Sequence, residues 1–336
     1  MTEEGSRVPV GVLTPVVRRR RRRGGRRAAL LVLALGAAGG AAYVFHARLT
    51  HQPAAAAPPP RHAAAAPTPK PYRPPPKAPA LLSGPPLSDR ALRPPIAARA
   101  AIVVDAGSGR VIWARRPHRR LPVASTTKIM TALVVLQRLG ADVLVRVAPA
   151  ATRVPLVKEG LRPRERVRAW KLLDGLLVYS GNDDAMALAL AAAGTRRAFL
   201  AQMNDKAREL GLSDSHFSSV SGVIDRGNYS SAWDLAALTR VALRNPLFRS
   251  VVRRKIVHVR WSAPTFEKVY VNKNPLLGTY RGANGVKTGW TTLAGHCLVA
   301  SATRDGRTIV AVVLHDANAP GDARRLLDLG FRTTPT

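Results

Sequence analysis

The chain has 336 residues, 46% of them hydrophobic, enough for one sizeable core or two smaller domains. Its formal net charge is +33 and only 5% of its residues are aromatic, which suits anionic partners such as acidic lipids or wall polymers and leaves little for base stacking, so no nucleic-acid partner is expected. One cysteine, Cys297, allows no internal disulfide and no cysteine-based zinc site, and eight scattered histidines without a His-Glu-x-x-His run argue against a metalloenzyme.

The charge is unevenly placed. Residues 1–27 hold nine arginines and two glutamates and read as a basic cytoplasmic tail. Residues 28–47 carry no charge apart from His46, and a run of that length can cross a bilayer as a helix. The arginines in front of it keep the N-terminus cytoplasmic and send the rest of the chain outside. A cleaved signal peptide is the competing reading; the long run without a small-x-small site favours a retained single-pass anchor in the cytoplasmic membrane. Residues 48–97 form a Pro/Ala-rich linker, with 15 of the 27 prolines between 49 and 97, so an extended spacer is expected rather than a packed core. From residue 98 onward the chain still carries 37 Lys/Arg against 17 Asp/Glu.

The folded domain is expected over 98–336. Residues 101–105 and 110–114 read as a β-hairpin turning at Ala106-Gly107-Ser108-Gly109. Residues 126–139 are apolar on nearly every face and predict a buried central helix. Two helices follow over 170–179 and 183–193, broken at Ser180-Gly181-Asn182. Residues 195–210 predict an amphipathic helix ending at Gly211, and residues 231–243 another, stopped by Asn245-Pro246. Strand-like runs over 285–288, 296–303 and 308–315 lead to a closing helix over 322–329. Strands, helices, strands and a helix in that order suggest an α+β fold, an antiparallel sheet whose first and last strands meet around an inserted helical lobe.

Three short motifs carry chemistry. Ser125-Thr126-Thr127-Lys128 puts a hydroxyl and an amine three residues apart, on one face if a helix starts at Ser125. A serine hydroxyl needs a base, and lysine serves only when burial or nearby positive charge makes it neutral. Ser180 and Asn182 present a hydroxyl and an amide on a short loop, although such residues equally cap helices. Lys287-Thr288-Gly289, at a strand end before Trp290, can bind a terminal carboxylate and let a substrate backbone lie alongside. Each motif alone is weak; their conjunction, in this order, is the set described for β-lactamases and penicillin-binding proteins.

From about Ala98 to Arg332 the chain resembles the low-molecular-mass penicillin-binding proteins that act as serine-type D-alanyl-D-alanine carboxypeptidases. The resemblance extends through residues 121–132, 175–183, 229–236 and 285–298. It implies a β-lactamase/transpeptidase-like fold, an acyl-enzyme on Ser125, Lys128 as its base, and proton relay through Ser180 and Lys287. It also implies that Asn182, Lys287, Thr288, Gly289 and Trp290 bind a peptidoglycan stem peptide, with the N–H groups of Ser125 and Trp290 as oxyanion hole. β-Lactams would acylate Ser125, and no cofactor or metal is expected. Asp184 departs from the family's small residue there and could alter the charge beside Asn182. The extra C-terminal β-domain and tail of some members are not expected. Glu159, Glu165 and Glu209 do not supply the deacylating glutamate of a class A β-lactamase. A D,D-endopeptidase with the same residues, and a non-catalytic binder of anionic wall polymer, remain as alternatives.

Overall fold

Apolar, β-branched runs from the two ends of the domain pair with one another, and the helices fold between them. The computed structural model describes residues 81–84, 94–223, 227–261 and 267–333. The expected basic tail, the membrane span and most of the linker lie outside these residues. Among the described residues no helix is long and apolar enough to cross a membrane.

The strands in chain order are β1 (Ala100–Asp105), β2 (Val111–Arg115), β3 (Leu144–Arg146), β4 (Arg166–Arg168), β5 (Ile256–Val259), β6 (Lys268–Val271), β7 (Ala283–Thr291), β8 (Gly295–Arg304) and β9 (Arg307–Asp316). The helices are α1 (Lys128–Arg138), α2 (Pro149–Thr152), α3 (Ala169–Asp174), α4 (Asn182–Ala193), α5 (Arg196–Glu209), α6 (Ala232–Ala242), α7 (Pro246–Val252) and α8 (Ala319–Arg332).

Five strands form one sheet in the order β2-β1-β9-β8-β7, with every neighbouring pair antiparallel. The first hairpin therefore lies directly beside the last strand, as the element order implies. Both faces of the sheet are covered, which is why β9 reads as an unbroken apolar run from Ile309 to Leu314. α8 packs on one face through Ala323, Leu326 and Leu327, and the helical lobe packs on the other. α1 is buried on every side from Lys128 to Val135 and forms the centre of that lobe. β7 is an outer strand, so one of its edges is open to an added strand.

Helix boundaries follow local capping chemistry. Thr195 Oγ1 accepts from Ala198 N at 3.1 Å and Ser231 Oγ from Asp234 N at 3.1 Å, starting α5 and α6. Asn245 accepts from Leu247 N and Phe248 N, so the Asn-Pro pair that stops α6 also starts α7, a helix the sequence reading lacks. The two small hairpins β3–β4 and β5–β6 are likewise additions to that reading. The domain also begins earlier than expected. Within the linker, Leu82 is buried in the main core, and Ser83 forms a bridge to Arg110.

Candidate active site

The segment that carries Ser125 is tighter than a helix start. Ala124–Thr127 form a 3₁₀ turn that runs into α1. Residues three apart eclipse in such a turn, so Ser125 and Lys128 stand side by side. Lys128 Nζ lies 2.9 Å from Ser125 Oγ. The same amine reaches Asn182 Oδ1 at 2.8 Å and the Ser221 carbonyl at 3.1 Å.

An ammonium could donate to all three of these partners, whereas only a neutral amine can act as a base. Two of them are carbonyl-type oxygens, which only accept. A neutral amine donates to both and keeps its lone pair for the Ser125 hydroxyl proton. The environment favours that form. Lys128 is wholly buried, and burial holds it well below the usual lysine range; the charges of Lys287 and Lys273 push further down, while Asp184 and Asp183 oppose.

Glycines let the surrounding chain close on this turn. Ala124 is held at a positive φ of 46°. A Cβ on Gly289 would lie 2.8 Å from the Val123 carbonyl and 3.0 Å from Ser125 N, so β7 approaches the nucleophile only because residue 289 has no side chain. A Cβ on Gly222 would lie 1.8 Å from the Ala124 carbonyl.

The second motif is built by one surplus residue. The helix expected over 170–179 passes from α3 into a π turn, Gly175–Tyr179, and ends with Ser180 at φ 74°. π turns are frequent at functional sites. Gly181 caps α4, and Asn182 is its first residue. Asn182 accepts from Lys128 and donates through Nδ2 to the Pro155 carbonyl at 3.0 Å. Asp183 accepts from Glu159 N at 3.0 Å, Gly160 N at 2.9 Å and Leu161 N at 3.1 Å, which pins the 155–161 segment beside the motif.

Asp184 behaves differently. Its carboxyl fills the space that a Cβ on Gly175 or Gly181 would take, at 2.4 Å and 1.9 Å, and neither of its oxygens has a hydrogen-bond partner. Burial raises its pKa well above the usual carboxylate value, with Glu159 and Asp183 adding to the effect. Asp184 is therefore a carboxyl whose neutral form burial favours, rather than a plain negative charge beside Asn182. Burial also raises Glu159 to about 7, against the Tyr270 hydroxyl that donates to it.

Lys287, Thr288, Gly289 and Trp290 lie inside β7 rather than at a strand end, because pairing with β8 continues to Thr291 and Gly295. Lys287 is buried, and burial followed by the charge of Lys273 lowers it to about 7. Trp290 is 60% exposed, with its ring 6.2 Å from that of His296.

Ser125, Ser180, Thr288, Gly289 and Trp290 share one cleft of about 350 Å³. Lys128 and Asn182 are bonded directly behind Ser125, and the charge of the buried Lys287 acts on Lys128. Two contributors are absent from the sequence reading: the Ser221 carbonyl, and Lys273 in the cleft wall. Cys297 also lines the cleft, but burial pushes its thiol up to about 12, which leaves it unreactive. Among the described residues no group of His, Cys, Asp and Glu side chains could hold a metal ion.

A serine hydroxyl against a buried, charge-depleted lysine, beside the open edge of a strand, defines a serine acyl-transfer site. Residues 88–318 match the family described as D-alanyl-D-alanine carboxypeptidase. The chain is 31% identical over 245 residues to the D-alanyl-D-alanine carboxypeptidase DacF of Bacillus subtilis, covering 70% of this chain and 62% of that protein. It is 34% identical over 262 residues to the D-alanyl-D-alanine carboxypeptidase of Streptomyces sp. (strain K15), covering 71% of this chain and 89% of the relative. The solved Streptomyces K15 DD-transpeptidase superposes with a TM-score of 0.68 at 33% identity, over 72% of this chain and 99% of that one. The chain belongs to the D-alanyl-D-alanine carboxypeptidase family of serine hydrolases. It spans less than two thirds of the Bacillus relative's length.

Proposed function

We propose that the protein removes the terminal D-alanine from peptidoglycan stem peptides through an acyl-enzyme on Ser125. The observation that carries this reading is the contact of Lys128 Nζ with Ser125 Oγ at 2.9 Å, inside a site that favours the neutral amine. Lys128 takes the hydroxyl proton as Oγ attacks the penultimate D-alanine carbonyl carbon. The developing oxyanion lies between the backbone N–H groups of Ser125 and Trp290. The C–N bond then breaks, and Ser180 and Lys287 return the proton to the departing amine. Water attacks the resulting ester by the reverse route and frees the shortened peptide. Thr288 and Lys287 hold the substrate carboxylate, Asn182 holds its amide, and the stem peptide lies along the open edge of β7. β-Lactams enter as substrate mimics and stop at the acyl-enzyme.

In this reading residues 28–47 tether the enzyme to the cytoplasmic membrane, with the catalytic domain on the outer side. The support is the uncharged run behind an arginine block. Acyl transfer to an amine instead of water is the second reading, favoured because the Streptomyces K15 neighbour is a DD-transpeptidase.

The test is covalent labelling of the full-length protein with a fluorescent penicillin. Wild type takes the label and Ser125→Ala does not; a labelled Ser125→Ala protein would place the nucleophile elsewhere. Synthetic muropeptides, monomeric or crosslinked, then separate carboxypeptidase, transpeptidase and endopeptidase products.

A further inference from the structure

The domain has a second concavity, at the end of β7 away from the cleft. Its volume is about 580 Å³, and Arg240, Arg244, Arg249 and Arg253 line it together with Asn284 and Thr303. No carboxylate is among its lining residues.

Arg240 is part of the wall that does not move freely. It is 8% exposed, and its guanidinium donates to the Leu81, Ala106 and Gly107 carbonyls. Carbonyls satisfy its N–H groups, and among the described residues no carboxylate pairs with it directly. Asp105, the one acid that acts on it, is engaged by Arg307 at 2.7 Å. Buried cations are ordinarily paired. Arg249 and Arg253 are one helical turn apart, a spacing at which like charges repel. Arg249 is steadied by the Leu243 and Arg244 carbonyls at 2.7 and 3.0 Å. The guanidinium groups of Arg244 and Arg253 are exposed, and among the described residues they meet no acceptor.

Four like charges converging on a hollow repel one another, and arginine does not relieve that by losing its proton. An anion in the hollow relieves it. The fork of a guanidinium matches two phosphate oxygens at once, and a phosphate offers enough oxygens for several forks, where one carboxylate does not. We propose that this arginine cavity binds a phosphate-bearing anion, at a site separate from the peptidase cleft. It differs from a solvated basic face in being concave, in having two arginines held by backbone carbonyls, and in having no acid among its lining residues.

The experiment is calorimetric titration of the full-length protein, in neutral detergent, with inorganic pyrophosphate and with poly(glycerol phosphate). Sodium acetate at matched ionic strength is the control. Arg244→Ala/Arg253→Ala should bind the phosphate probes about 10-fold more weakly or worse, because charge-assisted hydrogen bonds are lost. Arg253→Glu, a single charge reversal, should do the same. Both variants should acylate with penicillin at the wild-type rate, which shows them folded. Tighter binding of the polymer assigns the cavity to a phosphodiester chain, and tighter binding of pyrophosphate to a small phosphorylated molecule. No phosphate binding, equal binding by the variants, or a signal that acetate reproduces would overturn the proposal.

Discussion

Two hollows on this domain crowd positive charge, and they resolve it in opposite ways. In the catalytic cleft the crowded cations are lysines, buried and lowered in pKa, so the site relieves repulsion by releasing protons. In the basal cavity they are arginines, which stay charged. The same excess of charge thus produces a base in one place and an anion receptor in the other, and the residue type decides which.

Lys128→Arg breaks the contrast most severely, since it puts into the cleft a group that keeps its proton. Penicillin acylation, followed by label incorporation over time, should fall about 10²- to 10⁴-fold, the usual worth of a general base. The wild-type enzyme carries the same information in its pH profile. In the proposed reaction the neutral amine is the base, so acylation should decline as pH falls through the lowered pKa of Lys128, while phosphate binding at the arginines persists.

Gly289→Ala tests a second difference. The cleft is closed to tight tolerance, whereas the free arginines of the cavity extend into solvent. A methyl group 2.8 Å from the Val123 carbonyl forces β7 away from Ser125. Acylation should drop about 10²-fold, the scale on which small misplacements act. An unchanged rate would mean that the approach of β7 is not what positions the substrate.

Asp184→Ala gives the smallest effect and the sharpest one. The carboxyl lies within the field of Lys268 and the buried Lys128 yet pairs with neither. Its removal should raise stability by about 1–3 kcal/mol at alkaline pH, the cost of a buried polar group without a partner. The sign follows from linkage. A carboxyl whose folded pKa is raised is least costly below its unfolded pKa, and that advantage is lost as pH rises through the folded value. The variant's gain in thermal denaturation should therefore grow from acid to alkaline pH.

The parts of the molecule legible in its sequence are those where chemistry demands neighbours along the chain. Ser125 and Lys128 must be three apart, and Lys287 to Gly289 must share a strand, so their spacing shows. The apolar continuity of β1, β8 and β9 shows for the same reason, since both faces are covered. The Ser221 carbonyl does not show, because any residue can present a carbonyl. Lys273 is lost among many basic residues. The π turn at Gly175–Tyr179 only shifts a periodicity by one residue, too little to notice in an apolar run. The β5–β6 hairpin exposes Ile256, Val269 and Val271 and buries Val257, Val259 and Tyr270, so apolar residues on both faces blur the alternation that marks a strand.

Ala124 sits clamped between Gly222 and Gly289, at a backbone angle few side chains accept. Under drug selection this leaves little room for escape at the nucleophile itself. Any residue larger than glycine at either flank collides with main-chain or neighbouring atoms, and the proposed reaction needs the same geometry for wall peptide as for antibiotic. Variation that separates the two ligands falls instead to other lining positions such as Val157 and Pro275. Under the proposed function, resistance would be a question of access, with the reactive turn held constant.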